Sequence, residues 1–122
     1  MTWTIQFTTD AKADLQELKE YVVHTWSKEI WQTEAGKLKQ LLSTLETMPF
    51  SGAIPHELAD IGITEFRQKL TDKNRLLYCI DVSQQIVTVL LICSQQRDLS
   101  RLLQRRLLMT GGKSSNSDSG QA

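Results

Sequence analysis

The side chains best suited to act on a charged ligand are arginines and lysines in the second half of the chain. Arg67 and Lys69 are two residues apart in a segment of alternating polarity, Arg75 opens the next apolar segment, and Arg97 follows the last one. Such cations bind phosphate oxygens and stabilise negative charge that develops in a reaction. These four residues are the candidates for binding a phosphate or an acidic target. Arg67 and Arg75 could equally well have a structural role, pairing with carboxylates and bracing the sheet. Lys69 could simply lie on a solvated strand face.

Groups that could transfer a proton are scarce in the same half. Metal-independent cleavage of RNA needs a base for the 2′-hydroxyl, cations for the phosphate and an acid for the leaving oxygen. No Tyr or His follows Tyr78, and the alternation of Tyr78 with Leu76 and Ile80 predicts a core position. His24 in a helical segment and His56 in a loop are interpreted as surface residues. Catalytic residues therefore stay unassigned.

Neither a metal site nor a cofactor is indicated. Asp72, Asp81 and Asp98 fall at turns and strand ends without metal-ligand spacing, and the chain has no glycine-rich phosphate loop. Cys79 and Cys93 match neither a metal motif nor a disulfide framework, and the expected hairpin register places them too far apart to bond. Two reduced thiols are typical of a cytoplasmic protein.

Charge and composition divide the chain. Residues 1–60 carry five Lys, no Arg and nine Asp or Glu, whereas residues 61–108 carry two Lys, six Arg and four Asp or Glu. This favours an acidic helical side and a basic side, although ordinary surface charge can segregate in the same way. Residues 1–108 are predicted to form one domain, and residues 109–122, rich in Gly and Ser, a disordered tail. No membrane span or secretion signal is evident, so a cytoplasmic location without a membrane partner is expected.

The first half of the chain predicts a strand and a helical hairpin. Alternating polarity over residues 3–8 predicts the strand, and Thr9 or Asp10 could cap the helix after it. Ser27 separates this helix from a second one, which Pro49 ends. The two apolar faces comprise Ala11, Leu15, Leu18, Val22 and Trp26 in the first helix and Trp31, Ala35, Leu38, Leu42 and Leu45 in the second.

The second half predicts a small sheet. After a loop over residues 50–61, strands are expected at 62–70, 75–80 and 86–93, the last being apolar enough to lie centrally with both faces covered. Asp98 can cap a short final helix. The fold class is therefore α+β, with an N-terminal strand, an α-helical hairpin, a three-stranded antiparallel meander and a short C-terminal helix, the helices lying on one face of an antiparallel sheet.

These segments resemble the RelE/ParE toxins of type II toxin–antitoxin systems. The resemblance is carried by Asp14-Leu15, by residues 49–52, and by the stretches LADIGITEFR (58–67), NRLLYCID (74–81) and QQRDLSRLLQRRLL (95–108). It covers nearly all of residues 3–108, and its last stretch is closer to the ParE branch. The resemblance implies the RelE/ParE fold, no cofactor, and a cognate antitoxin that wraps the toxin in a hetero-oligomer.

The resemblance leaves the target open. RelE-like toxins cut messenger RNA in the ribosome with Lys and Arg on the sheet and, in many members, a late Tyr or His. ParE-like toxins poison DNA gyrase. The four cationic candidates resemble the cations of the RNA-cleaving branch, but Leu102 or Leu103 stands at the place of the late aromatic residue. The chain is expected to be a gyrase poison that is not an enzyme. The alternatives are a ribosome-dependent endoribonuclease, and an inactive toxin remnant or protein-binding domain.

The last predicted helix is the candidate antitoxin surface. Leu102 belongs to its apolar stripe, and Arg101, Arg105 and Arg106 lie beside that stripe. A disordered acidic segment that folds there would add apolar burial and charge pairing. A helix that only covers the sheet would have the same apolar stripe, so this alternative is equally compatible with the sequence.

Overall fold

A four-stranded sheet with helices on both faces makes up the computed structural model, which describes residues 2–109. Strand β1 (Thr4–Phe7) leads into helices α1 (Thr9–Thr25) and α2 (Lys28–Thr47), followed by a 3₁₀ turn (Pro49–Ser51) and a short helix, α3 (His56–Ala59). Strands β2 (Phe66–Leu70), β3 (Asn74–Asp81) and β4 (Ile86–Ser94) come next, and then helix α4 (Leu99–Met109). The tail predicted over residues 109–122 lies, beyond Met109, outside the described residues.

The helical hairpin begins at side-chain caps. The Thr8 hydroxyl accepts a hydrogen bond from the Ala11 amide at 3.0 Å, so the cap of α1 lies just before the predicted Thr9 or Asp10. The predicted cap of α2 is confirmed, because the Ser27 hydroxyl accepts from the backbone amide three residues later at 3.1 Å.

Trp26 departs from the predicted apolar face of α1. Its side chain is 60% exposed, whereas Val22, one turn earlier, is buried. Trp26 is the C-cap residue of α1, and its φ of −119° and ψ of −88° are not helical. The helical period therefore no longer sets the direction of this side chain.

The sheet order is β1-β4-β3-β2. The predicted meander is confirmed, since β2 pairs with β3 and β3 with β4 in antiparallel orientation. Strand β1, however, pairs with β4 in parallel, with Ile5 opposite Val87. The sheet is thus mixed, and the expectation of a wholly antiparallel sheet was wrong. Alternating polarity shows which side chains point inward but does not show which strand becomes the neighbour; a crossover through two helices permits parallel pairing.

Two cores lie on opposite faces of the sheet. Helices α1 and α2 cover one core, which includes Ala11, Leu45, Leu76, Tyr78, Val87 and Val89. Helices α3 and α4 cover the other, which includes Leu58, Leu77, Leu91, Leu99 and Leu103. The expectation of helices on one face only was therefore wrong, whereas the predicted central position of β4 is confirmed. A strand that is apolar on both faces needs cover on both.

The segment between α2 and β2 is more ordered than predicted. It contains the 3₁₀ turn and α3, and β2 begins at Phe66 rather than at residue 62. Leu58 of α3 is fully buried in the second core. A helix of four residues is too short to show a periodic pattern, which is why the sequence did not reveal it.

Tyr78 ties the 3₁₀ turn to the sheet, and its predicted core position is confirmed. Its side chain is fully buried, and its hydroxyl donates to the Pro49 carbonyl at 2.7 Å and accepts from the Gly52 amide at 3.0 Å. Burial raises the pKa of the Tyr78 hydroxyl above its ordinary value of 10.0, so the group stays protonated at neutral pH.

Gly52 is predicted to be essential for this close approach. A Cβ at Gly52 would lie 2.5 Å from both the Gln68 carbonyl oxygen and the Tyr78 hydroxyl. We expect Gly52→Ala to lower the free energy of unfolding, measured in urea, by about 1–3 kcal/mol. Gly36 in α2 is the matched control, because a Cβ there meets nothing within 4 Å. Gly36→Ala should raise stability by about 0.5–1 kcal/mol; a loss of stability in both variants would contradict the argument.

Candidate functional site

The four cationic candidates do not meet on one face of the sheet. Arg67 lies opposite Tyr78, and Lys69, two residues along the same strand, shares its face. Both therefore point toward α1 and α2, since directly opposed residues of a ladder lie on the same face. Arg75 lies opposite Cys93, which belongs to the core under α3 and α4. The sheet itself separates Arg75 from the other two.

Arg67 braces the segment that follows α2. Its Nη1 donates to the Gly52 carbonyl at 2.7 Å and to the Phe50 carbonyl at 3.3 Å, and its guanidinium carbon lies 5.3 Å from the centroid of the Phe50 ring. Phe50 also packs edge-on against Trp3, with ring centroids 6.2 Å apart. Lys69 is half-buried and makes no ion pair within the described part of the chain.

Arg75 is held by three polar partners on the other face. Its Nη1 donates to the side chains of Glu57 and Gln68, both at 3.2 Å, and its Nη2 donates to the Gln95 carbonyl at 2.9 Å. The side chain is only 11% exposed, and its Nε has no partner among the residues described. Arg75 thus anchors α3 and the turn after β4 to the sheet.

Arg97 differs from the other three candidates because it is exposed. It lies in the turn between β4 and α4, where its amide donates to the Ser94 carbonyl at 3.1 Å. Arg101 and Arg105 are also exposed and lie one turn apart on α4. Asp98 caps this helix as predicted, accepting from the Arg101 amide at 3.2 Å. All three arginines are therefore accessible to solvent.

Arg106 is engaged inside the chain, a contact that sequence reasoning missed. Its two terminal nitrogens donate to the two Asp14 carboxylate oxygens, both at 3.0 Å, and Nη1 also donates to the Leu90 carbonyl at 2.7 Å. Asp14 in turn accepts from the Ile92 amide at 3.1 Å. These backbone groups lie where β4 extends past the end of β1, so the ion pair supplies hydrogen bonds that no strand makes there.

The sequence held only a faint signal of this contact. Asp14 immediately precedes Leu15 in the apolar stripe of α1, and a carboxylate at the border of a buried stripe needs a partner. That partner is 92 residues away in the sequence. Periodicity and local spacing cannot join residues at such a separation.

The remaining titratable groups lie in ordinary surroundings. His24 and His56 are exposed, as predicted, and His56 Nδ1 lies 3.8 Å from the Glu57 carboxylate. Cys79 lies opposite Thr88 and Cys93 opposite Arg75, which confirms the predicted separation of the two thiols, and burial raises the pKa of both. Within residues 2–109 there is no cluster of potential metal ligands. No helix in that range is long and apolar enough to cross a membrane.

The family model of the ParE toxins of parDE type II toxin–antitoxin systems matches residues 5–99. The chain belongs to this ParE toxin family. The matched range runs from β1 to the first residue of α4, so it includes most of both cores, the Arg67 and Arg75 contacts and exposed Arg97. The resemblance inferred from the sequence is thereby confirmed, and the protein is a toxin of the RelE/ParE superfamily.

Solved structures show the same fold for this toxin. It is similar to the RelBE2 toxin–antitoxin complex from Mycobacterium tuberculosis, with a TM-score of 0.54 and 22% identity over 78% of this chain and 100% of that one. The chromosomal ParDE system from P. aeruginosa gives a TM-score of 0.60 and 14% identity over 76% and 96%. The isolated E. coli RelE toxin gives 0.51 and 14% over 86% and 99%. Among curated proteins, none matches the sequence significantly.

We expect Asp14→Ala to destabilise the toxin. The substitution leaves the Ile92 amide without its partner and removes the two bonds of Arg106 to Asp14, so that Arg106 keeps only the Leu90 carbonyl and the Asp10 carboxylate at 3.6 Å. This should cost about 1–3 kcal/mol of unfolding free energy in urea. Hydrogen exchange at the Ile92 amide should also accelerate. The control is Asp72→Ala, which removes an exposed pair with Lys37 at 2.8 Å and should leave stability nearly unchanged because solvent screens that pair. Equal losses in the two variants would show that the Arg106 contact is no stronger than a surface pair.

Proposed function

We propose that this toxin binds and poisons DNA gyrase in the cytoplasm, blocking replication without being an enzyme, until a cognate antitoxin neutralises it. The separation of the cationic candidates by the sheet is the observation that carries the proposal. RNA cleavage needs cations, a base and an acid around one phosphate, each within hydrogen-bond reach of the reacting atoms. Arg67 and Lys69 on one face and Arg75 on the other do not supply that arrangement.

Strand β2 adds no charge to the face of Arg75. Its side chains on that face are Phe66, which packs against the second core, Gln68, which accepts from Arg75, and Leu70, which lies opposite Arg75. Uncharged groups cannot neutralise a pentavalent phosphate. Arg75 itself is already paired with a carboxylate, that of Glu57.

The start of α4 also lacks a group for proton transfer. Leu102 packs against the second core and Leu103 is 6% exposed, so both leucines serve as apolar cover. These are the positions at which the sequence resemblance leads us to look for the late aromatic residue of RNA-cleaving toxins. Together with the ParE family match, this supports gyrase as the target.

We assign the target contact to the turn between β4 and α4, where Arg97 lies. Among the target-binding candidates, Arg97 is the most accessible, while Arg67, Lys69 and Arg75 are half-buried. An exposed guanidinium can form bidentate hydrogen bonds with a carboxylate of a protein target. Arg97 is therefore proposed as a contact residue, with Arg67 and Arg75 holding the surfaces around it.

An antitoxin partner belongs to the same proposal. The RelBE2 complex and the ParDE system are structures of toxins with antitoxins. We propose that an acidic, partly disordered antitoxin segment forms a hetero-oligomer with this toxin by docking on Arg101, Leu102 and Arg105. The Arg106 guanidinium supports that surface indirectly, because its bonds to Asp14 hold α4 against α1.

Gyrase supercoiling of plasmid DNA in the presence of ATP tests the target. The purified toxin should block supercoiling or produce linear DNA from trapped cleavage complexes. Arg97→Ala should raise the concentration needed for half-inhibition about tenfold or more, as expected when a charged contact is truncated. The same variant should lose growth arrest but keep its fold and antitoxin binding. Lys19→Ala, at an exposed position of α1, is the charge control and should inhibit as the unmodified toxin does.

An unaffected gyrase, tested with a folded toxin, would contradict the proposal. Cleavage of messenger RNA on purified ribosomes would then assign the endoribonuclease activity instead. In that case His56, whose Nδ1 lies 3.8 Å from the Glu57 carboxylate that pairs with Arg75, becomes the first residue to replace.

A further inference from the structure

Trp26 is an exposed tryptophan that is held in place at the junction of α1 and α2. Its side chain is 60% exposed and belongs to neither core, and the Lys73 ammonium lies 5.6 Å from its ring centroid. A cation over the face of an indole ring is an attractive contact. The Trp26 amide also donates to the Val22 carbonyl at 2.9 Å, which holds the backbone. The ring is therefore accessible to a partner and already oriented.

The turn between β2 and β3, which carries Lys73, is held on two sides. On one side, the buried Glu34 carboxylate of α2 accepts hydrogen bonds from the side chains of Thr71 and Asn74, both at 2.7 Å. On the other side, the Gln95 amide donates to the Lys73 carbonyl at 2.9 Å, and the Gln95 side chain donates to the Thr71 carbonyl. A residue on a turn held in this way loses little conformational entropy when it binds a partner.

Arg97 lies on the neighbouring turn. It follows Gln95 by two residues, and its amide closes this turn by donating to the Ser94 carbonyl at 3.1 Å. Ser94 pairs with Asn74, the residue after Lys73. Lys73 and Arg97 are therefore carried by adjacent turns at one end of the sheet, and both residues are exposed.

The two turns carry positive charge that the described part of the chain does not neutralise. Neither Lys73 nor Arg97 lies within ion-pair distance of a carboxylate among residues 2–109. The carboxylates next to them in the sequence are engaged elsewhere, since Asp72 pairs with Lys37 at 2.8 Å and Asp98 caps α4. Both cations are thus able to pair with the carboxylates of a partner.

We propose that Trp26 and Lys73 form, together with Arg97, the surface that binds gyrase, and that the gyrase segment bound there is acidic and carries an apolar side chain. Its carboxylates pair with the two cations, and its apolar side chain packs on the exposed part of the Trp26 ring. Tryptophan and arginine are among the residues that most often dominate the binding energy of a protein interface. The inference rests on the proposed gyrase target and names the chemistry of the segment that is recognised.

Inhibition of plasmid supercoiling by purified variants tests this surface. Trp26→Ala should raise the concentration needed for half-inhibition about tenfold, the loss expected when an aromatic anchor is truncated. Trp26→Phe keeps a ring at this position and should recover most of the potency. Lys73→Glu places a negative charge opposite the acidic segment and should raise the same concentration about tenfold or more, because like charges facing each other oppose binding.

Binding of the toxin to immobilised gyrase without DNA isolates the protein contact. Trp26→Ala and Lys73→Glu should weaken this binding by factors similar to those found for inhibition. Lys73→Glu should also reduce the dependence of the association rate on salt, since charge attraction accelerates encounter. Losses that appear only when DNA is present would overturn the inference, because the surface would then contact nucleic acid.

The matched controls lie away from the two turns. Phe50 is likewise an exposed ring beside a cation, with the Arg67 guanidinium 5.3 Å from its centroid, but it follows α2 whereas Trp26 precedes this helix, which is about 30 Å long. Lys12 is exposed in the first turn of α1, roughly 20 Å from Trp26 along the helix. Phe50→Ala and Lys12→Glu should inhibit gyrase as the unmodified toxin does, and circular dichroism of every variant checks that it is folded.

The outcomes distinguish this inference from the gyrase proposal. If the unmodified toxin has no effect on gyrase, the gyrase proposal is wrong and this inference is wrong with it. If the unmodified toxin inhibits and Trp26→Ala and Lys73→Glu are equally potent, only this inference is wrong. Losses of the same size in Phe50→Ala and Lys12→Glu would also overturn it, because the effect would not be specific to these turns.

Discussion

The central strand β4 has to be covered on both faces and hydrogen-bonded along both edges, and the rest of the structure follows from that need. Its buried side chains alternate between two cores, which require the helical hairpin on one side and α3 and α4 on the other. One edge pairs with β3 from Ile86 to Ser94 with a bulge at Leu90, but β1 is short and covers only the first part of the other edge. Asp14 and Arg106 bond the part that β1 leaves open.

This arrangement also decides what the polar side chains can do. Because the sheet lies between two cores, it separates Arg67 and Lys69, on one face of β2, from Arg75, on the other face of β3. Arg67 and Arg75 each bind backbone carbonyls and hold a connecting segment in place. The accessible arginines therefore lie at the margin of the sheet, at Arg97 and at Arg101 and Arg105 of α4.

Local patterns predicted much of the fold. The Ser27 cap, the helical hairpin, the meander and the central position of β4 were all visible, because each depends on residues close together in the sequence. The prediction failed where the outcome depends on distant neighbours. Alternation in β1 was correct, yet its parallel pairing with β4 depends on how the hairpin crosses the sheet. Trp26 has helical spacing, but the chain leaves the helix there, and α3 is too short to produce a pattern.

The sequence alone determined the family, the order of the elements and which residues carry positive charge, since these follow from residue types and their short-range spacing. Only the tertiary structure decided which charges share a surface. The strand period of two assigns Arg67 and Lys69 to one face, but the register with β3 was needed to set Arg75 on the other. Likewise, Arg106 is identical in type to exposed Arg105, and only the fold brings Asp14 across 92 residues to bind it. Burial and pairing between distant segments, which no local pattern encodes, make that difference.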